Sequence, residues 1–579
     1  MIQQYAVTFV NDDEEHTVLD IQYVDKGGNA VDPITRKENP IPIPTKTSTV
    51  RNDFTYKGWN GDLTKIFSDR TIIATYTSSI RKYTVSYITL SESGKYDKVL
   101  QSTEADYNTM VEYTGDIPKY TYEESAYTYK LFREWDQSGL VTGDKTIKAL
   151  FDTCTYKDGY FDDKDFANLS QVEIYMLMKL NLEQSKTVVA DTIDFKLGLD
   201  YTYSDVESKE LISNTKEFDG TNYVDTGVAL LDVDRDFTLA IDFEFDSENS
   251  SNATLFQCYQ YNGNNGVRLW YNQSPTFNWG NKSTQPMVVN GRDMLVIRHI
   301  AGDENLYIYD ANLSGNEVST SKVAALRNPV IPYSIVFGCA KYEDGSYERY
   351  AKGKVHWCKL WYADLGESTC KNLASWVHET IPMMIAEYKQ YFLSNDGSKR
   401  ANITLIAKNL LSIDQPYGSS TKGWDGSSLK TWLNVRMYKA ISPLWKSLIQ
   451  PVKVSANNGD YKTKDIVESS CYFYIPSVYE IASADTNGQN FNRNPYNQEI
   501  SETIATMTSN DARKRAKVNT PEKYDTYYTR SANVDQSYVQ QWIVNGSSDS
   551  STYDPGSVNG FYYTSSAGIL LMFSICSEG

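Results

Sequence analysis

Hydrophobic and polar positions alternate with a period of two along much of this chain. The clearest run is Phe237-Thr238-Leu239-Ala240-Ile241-Asp242-Phe243-Glu244-Phe245, in which the apolar set occupies every second position. A period of two predicts a strand with one buried and one wet face, so Asp242 and Glu244 are expected on the solvent side. Further short strands are predicted at Val267–Tyr271, 294–299, 306–310 and 335–339, separated by Asn/Gly/Ser/Asp clusters, and Gly353-Lys354-Val355-His356-Trp357-Cys358-Lys359-Leu360-Trp361 closes the stretch. Short strands with regular turn signals predict a sandwich.

Upstream, one pattern occurs twice. Tyr5-Ala6-Val7-Thr8-Phe9 recurs as Tyr83-Thr84-Val85-Ser86-Tyr87, Val18-Leu19 as Val99-Leu100, Gly58-Trp59 as Glu134-Trp135, and the run from Thr71 to Tyr76 as that from Thr146 to Phe151. Both tryptophans are expected in the core rather than on a binding surface. The pattern then changes to helical spacing: Ser170-Gln171-Val172-Glu173 is a Ser-x-x-Glu capping box ahead of Val172, Tyr175, Met176 and Leu180. Leu373, Trp376, Val377 and Ile381 predict an amphipathic helix over 368–387, with His378 on it. The last 190 or so residues open on a strand from Ala401 to Leu411, followed by Gly423-Trp424-Asp425-Gly426 and a helix carrying Leu429, Trp432, Leu433, Arg436, Met437 and Ala440. Pro443 starts a second short helix. After it come Val452-Lys453-Val454, a Cys471–Ser477 strand region, Tyr527-Tyr528-Thr529-Arg530-Ser531-Ala532, Gln541-Trp542-Ile543-Val544 and a closing apolar run from Gly568 to Cys576.

Three resemblances follow from these motifs. The order "FDGTNYVDTG … DFTLAIDFEF … GKVHWCKLWYADL" resembles the concanavalin-like (laminin-G-like) jelly-roll family, most of whose members bind glycans or proteins and a minority of which are glycosidases. "YAVTF … TVLD … GWN … TIIATY" resembles the Listeria–Bacteroides repeat, a β-grasp-like module of bacterial surface proteins and phage fibres. "ITLIAKNLL … YIPSVYEI … YYTRSA … WIV … GILLMFSIC" is similar to a C-terminal domain common in phages and prophages of Gram-positive gut bacteria, related in architecture to C-type-lectin-like folds. The expectation is a mainly β, multidomain chain. It comprises β-grasp-like repeats at 1–80 and 81–155, a connector with a short helix at 156–214, a sandwich at 215–366, a linking helix at 367–390 and an α+β C-type-lectin-like domain at 391–579. The resemblances imply a phage virion protein, a fibre, baseplate or head-fibre component that displays a host-binding module. A bacterial adhesin and a glycan depolymerase are the alternatives.

Composition narrows the partners. With 56 basic against 74 acidic residues the formal net charge is −18, which argues against nucleic acid or an anionic membrane. Host-surface glycans or proteins and other virion proteins are expected instead, with a homo-oligomer, a trimer by analogy with fibres. The 45 tyrosines suit β structure and polar recognition surfaces. Seven cysteines without a Cys-x-x-Cys pair and four histidines without metal-site spacing predict buried thiols, no zinc and no cofactor. No secretion signal or ~20-residue membrane-spanning run is expected, which favours cytoplasmic assembly into a particle.

For chemistry, Asp242 and Glu244 are the pair that a sandwich glycosidase would need. No flanking aromatic pattern typical of such sites accompanies them and solvated strand carboxylates are common, so the expectation is a protein that is not an enzyme. Asp232, Asp234 and Asp236 are calcium candidates, although a polar turn before the strand is the simpler reading. Sugar recognition needs aromatic faces beside planar amides or charges. Tyr259, Tyr261, Arg268, Trp270, Tyr271 and Trp279 supply that mix in the sandwich, and because neighbours on a strand point opposite ways, Trp270 or Tyr271 must face outward. Trp542, Asn545, Tyr553, Tyr562 and Tyr563 form a similar set in the last domain.

Overall fold

The computed structural model describes the chain from residue 3 to 576 apart from residues 92–93, 119–120, 124–127, most of 156–192, 230–234, 260–266, 272–274, 280–281, 285–291, 311–316, 325–331, 419–422, 459–464, most of 483–512, 533–539, 547–557, 563–565 and some single positions. The chain is mostly β and multidomain. It divides into two compact units, residues 1–114 with 139–147 and residues 115–138 with 148–579.

In the first unit, Gln4–Val10 runs antiparallel to Val18–Asp25 and parallel to Arg70–Ile80, which pairs with Asn52–Trp59. Val7, Phe9, Val24, Ala30, Ile66 and Ile72 form its core. Trp59 packs on that core as expected, edge-on to Phe9 at 4.9 Å, with Nε1 donating to Asp32. The sequence repeat is a structural repeat. Trp59 lies opposite Ala74 after a bulge at Tyr56/Gly58, and Trp135 lies opposite Ala149 after a bulge at Phe132/Glu134. The Ala6 amide donates to Asp69 and the Thr84 amide to Asp144, while the Ile73 amide donates to Asn60 and the Lys148 amide to Asp136. The Gly58-to-Glu134 difference therefore leaves the bulge in place.

The second unit holds the sandwich. One sheet orders Ser208–Ile212, Lys352–Trp361, Phe237–Phe245, Arg292–His299, Asn305–Asp310 and Ser319–Ala324, with Lys216–Asp219 beside Lys352–Trp361. The other orders Val224–Ala229, Pro332–Phe337, Thr254–Tyr259, Val267–Tyr271, Pro275–Trp279 and Lys282–Thr284. Leu239, Ile241, Phe243, Leu255, Cys258, Leu269, Leu295, Ile335, Phe337, Cys358 and Leu360 fill the space between them.

The expected wet face of Phe237–Phe245 is covered. Thr238, Ala240 and Asp242 have no exposure, because the chain after the sandwich and a loop before it lie across that face. Thr238 Oγ1 donates to Ala363 O and the His378 amide donates to Asp242, while on the neighbouring strand Trp361 Nε1 donates to Tyr201 O. Both layers of the strand are therefore core, and alternation in the sequence marks which sheet face is apolar rather than which is dry.

The expected helix over 368–387 is also revised. Helix occupies only Gly366–Leu373, and Glu379–Tyr388 is a strand. Pro382 lacks the amide that a helix interior requires, and the segment instead pairs on one side with Ile193–Leu197 and on the other with Ile403–Ala407. This sheet continues through Met572–Ile575 to Phe473–Tyr474. The strands that flank the sandwich in sequence, Ile193–Leu197 and Glu379–Tyr388, are thus antiparallel neighbours, and the sandwich is an insertion in the C-terminal fold. Phe195 packs there against Phe573 at 4.7 Å and Trp445 at 5.0 Å.

Elsewhere local signals hold. Ser170 and Glu173 exchange the expected capping-box bonds. Ser427 caps Ser428–Thr431, which runs into a π-helical turn at Trp432–Met437, and Pro443 opens Pro443–Leu448.

Candidate functional site

Asp242 and Glu244 have different surroundings. Asp242 is fully buried and accepts both Nε and Nη2 of Arg292, at 2.8 and 2.7 Å, together with the His378 amide at 2.9 Å. Burial raises its pKa, but Arg292 and His378 outweigh burial and hold it well below the usual carboxylate range. Glu244 stands 3.5 Å from His356 Nε2. With no exposed surface, Asp242 is out of reach of a substrate in this structure. Next to it, Glu379 is pushed up by burial, against the hydrogen bonds from Ser412 and the charge of Arg292.

The outer face of the six-stranded sheet is different. Register aligns Asp225 with Val336, Val336 with Gln257, and Gln257 with Arg268, one position on each of four adjacent strands. Directly opposed residues share a face, and the neighbouring positions Val224, Phe337, Phe256 and Leu269 belong to the core or pack on it, so this row lies on the face away from that core, where Val336, Gln257 and Arg268 are nonetheless buried and Asp225 is partly exposed. Trp270 shares the face, two residues from Arg268, and the Arg268 guanidinium lies 4.3 Å from its ring centroid. Trp270 Nε1 has no hydrogen-bond partner among the described residues. Tyr271 points the other way and packs on the core, 5.9 Å from Phe245. Of these two neighbours, Trp270 lies on the face away from the core and Tyr271 on the core side, both partly exposed.

At the far end of the row, Asp225 accepts Lys341 Nζ at 2.8 Å, the Tyr347 hydroxyl at 3.0 Å and the Gly227 amide at 3.0 Å. Burial pushes its pKa up, but Lys341, Ser334, the Gly227 amide and Tyr347 together bring it down to about 2. Lys341 and Tyr347 face each other across the Ala340–Lys341/Tyr347–Glu348 hairpin. Gln257 clamps that hairpin to the sheet: its amide donates to Lys341 O at 3.0 Å and accepts the Lys341 amide at 2.8 Å. The Tyr347 ring stacks on Tyr223 with centroids 4.2 Å apart, and Tyr223 remains 41% exposed. Four neighbouring strands spaced ~4.8 Å apart put ~14 Å between the Asp225 and Arg268 positions. The face therefore carries two nodes, Arg268/Trp270 and Tyr223/Asp225/Lys341/Tyr347.

The sequence pattern points to Arg268 and Trp270 but not to the second group. Tyr223 and Asp225 lie within the "FDGTNYVDTG" motif, but Lys341 and Tyr347 are more than a hundred residues away, and only strand order brings them together. The remaining candidates divide as follows. Tyr259, Trp279, Trp542 and Tyr562 lie on the strands Thr254–Tyr259, Pro275–Trp279, Gln540–Val544 and Val558–Tyr562, their side chains outside the described set. Tyr261, Asn545, Tyr553, Tyr563, Asp232 and Asp234 lie outside the described residues. Asp236 accepts the Ala301 amide, a turn contact. Among the described residues no cluster of three His, Cys, Asp or Glu side chains is arranged to hold a metal.

Arg530, in the C-terminal motif, is a structural residue. It is fully buried, donates to both Glu480 oxygens at 2.7 and 2.8 Å and to the carbonyls of Ile475 and Ser455, and Tyr391 also donates to Glu480.

Residues 401–565 match the family described as "Domain of unknown function (DUF6273)". No curated protein matches the chain. Among solved structures, the CBM40 of the Ruminococcus gnavus IT-sialidase bound to α2,3-sialyllactose is similar at 9% identity and a TM-score of 0.21, over 29% of this chain and 99% of that one. A mutant NanB sialidase from Streptococcus pneumoniae is similar at 14% identity and a TM-score of 0.23, over 35% of this chain and 36% of that one. Basic winged bean lectin with Tn-antigen is similar at 12% identity and a TM-score of 0.17, over 29% and 98%. Likeness at this level does not say what this chain binds.

Proposed function

We propose that this chain is a non-enzymatic binding protein of a phage particle, in which the inserted sandwich presents the outer face of its six-stranded sheet to a host-surface glycan. The observation that carries the binding reading is the partly exposed group at the Asp225 end of this face, where the stacked rings of Tyr223 and Tyr347 lie beside Asp225 and Lys341. Aromatic faces beside charged groups that donate and accept are what a sugar ring with its hydroxyls requires. The virion assignment is supported by the resemblance of the C-terminal motifs to phage domains and of the N-terminal repeats to fibre modules. On this reading the repeats act as spacers, the chain assembles with other virion proteins as a homotrimer, and it is exposed on the particle.

Two measurements test the reading. Mass spectrometry of purified particles is expected to find the chain, and its presence only in the bacterial envelope would favour the adhesin. Purified protein is expected to bind host cell walls and to release no reducing sugar from host polysaccharide. Turnover would favour the depolymerase.

A further inference from the structure

Resting on the glycan-binding reading, we propose that the ligand platform is the stacked Tyr223–Tyr347 pair with Asp225 and Lys341 at its edge, and that it takes a neutral pyranose. Tyr347 covers one face of the Tyr223 ring, 4.2 Å away and 22° from parallel, Tyr350 packs at a tilt with its ring centroid 6.3 Å away, and Tyr223 keeps 41% of its surface exposed. That ring is held rather than loose. Tyr347 is fixed beneath it by its hydroxyl bond to Asp225, and the Lys341 ammonium lies 5.5 Å from the Tyr347 ring centroid. A preorganised aromatic plane loses little conformational freedom when a sugar's C–H face settles on it.

Charge selects the ligand class. The Asp225 carboxylate and Lys341 ammonium keep 24% and 20% of their side-chain surface open and neutralise each other. An acceptor and a donor side by side suit adjacent hydroxyls, each of which donates and accepts. The hairpin that carries Lys341 and Tyr347 adds Asp344 and Glu348 on its exposed surface and Arg349 beside them, so among the described residues no cationic excess gathers at this node to favour an acidic sugar. The Trp270 node differs, because Arg268 already lies over the Trp270 ring.

The test uses the full chain on an array of neutral hexopyranosides and of uronic and sialic acids, followed by calorimetry with the bound free sugar. Wild type is expected to bind neutral sugars with an affinity that changes less than about twofold between low salt and 1 M salt, since screening acts on charged ligands. Tyr223→Ala is expected to weaken binding at least tenfold and Tyr223→Phe less than about twofold, with melting temperatures matching wild type. Undiminished binding by Tyr223→Ala would overturn the platform while leaving the glycan reading standing. Capture of acidic sugars alone would overturn the ligand class. Absence of binding to any glycan and to host cell walls would remove the glycan reading, and this inference with it.

Discussion

Asp242 shows how a single side chain changes meaning between sequence and fold. Alternation places it on a wet strand face; the structure encloses it with Arg292 and His378. Removing one member of a buried ion pair leaves the other uncompensated, which costs about 3–5 kcal/mol. Asp242→Asn is therefore expected to lower stability by about that amount in urea denaturation, and a loss under 1 kcal/mol would contradict the enclosed geometry. Asp225 makes a different prediction. Its folded pKa, about 2, lies below the ordinary unfolded value of ~3.9. The stability this adds is present above about pH 4 and is lost as the pH falls toward 2. The stability gap between wild type and Asp225→Asn should accordingly be flat above pH 5 and close on acidification. Glu379 behaves in the opposite sense. Because burial raises its pKa in the fold, it destabilises as the pH rises above the unfolded value of ~4.3. Glu379→Gln should be more stable than wild type at neutral pH, an advantage that disappears in acid.

Single elements hold these residues in place. Gly338 turns the chain from Pro332–Phe337 into the hairpin that carries Lys341. Its φ of +86° is costly for other residues, and a Cβ there would lie 2.2 Å from the Phe218 ring and 2.9 Å from Asn222 O. Gly338→Ala is expected to cost about 1–3 kcal/mol and to weaken glycan binding by displacing Lys341, measured by thermal melts and by calorimetry on the same sample. At this scale the sequence was read well where a signal is local. The helix start at Pro443, the Ser170–Glu173 capping bonds, the core position of Trp59 and the Phe237–Phe245 strand all agree with the local signals. It was read less well over 368–387, where apolar spacing suits a helix and a buried strand alike; Pro382 and pairing with Ile193–Leu197 decide for the strand.

Across the molecule the connectivity is the main finding. The sandwich leaves and re-enters one sheet between adjacent antiparallel strands, Ile193–Leu197 and Glu379–Tyr388, an arrangement that tolerates excision because the two ends are already neighbours. A chain in which a short Gly/Ser linker replaces residues 208–365 is expected to keep the C-terminal β structure in circular dichroism and to unfold cooperatively. Collapse to an unfolded product would show that the C-terminal sheet depends on contacts such as Arg292 with His378. The duplicated Trp–Ala pairs and amide–side-chain bonds of the N-terminal repeats show that both copies keep one hairpin design across their sequence differences.

By itself the sequence determined the β-rich class, the duplication and the sandwich strands, because periodicity and turn chemistry are written in neighbouring residues. Only the tertiary structure decided which of Trp270 and Tyr271 lies on the face away from the core, that Asp242 is enclosed, and that Tyr223 and Asp225 meet Lys341 and Tyr347. Those outcomes depend on strand order and on the segments that cross the sheet faces, which bring together residues more than a hundred positions apart.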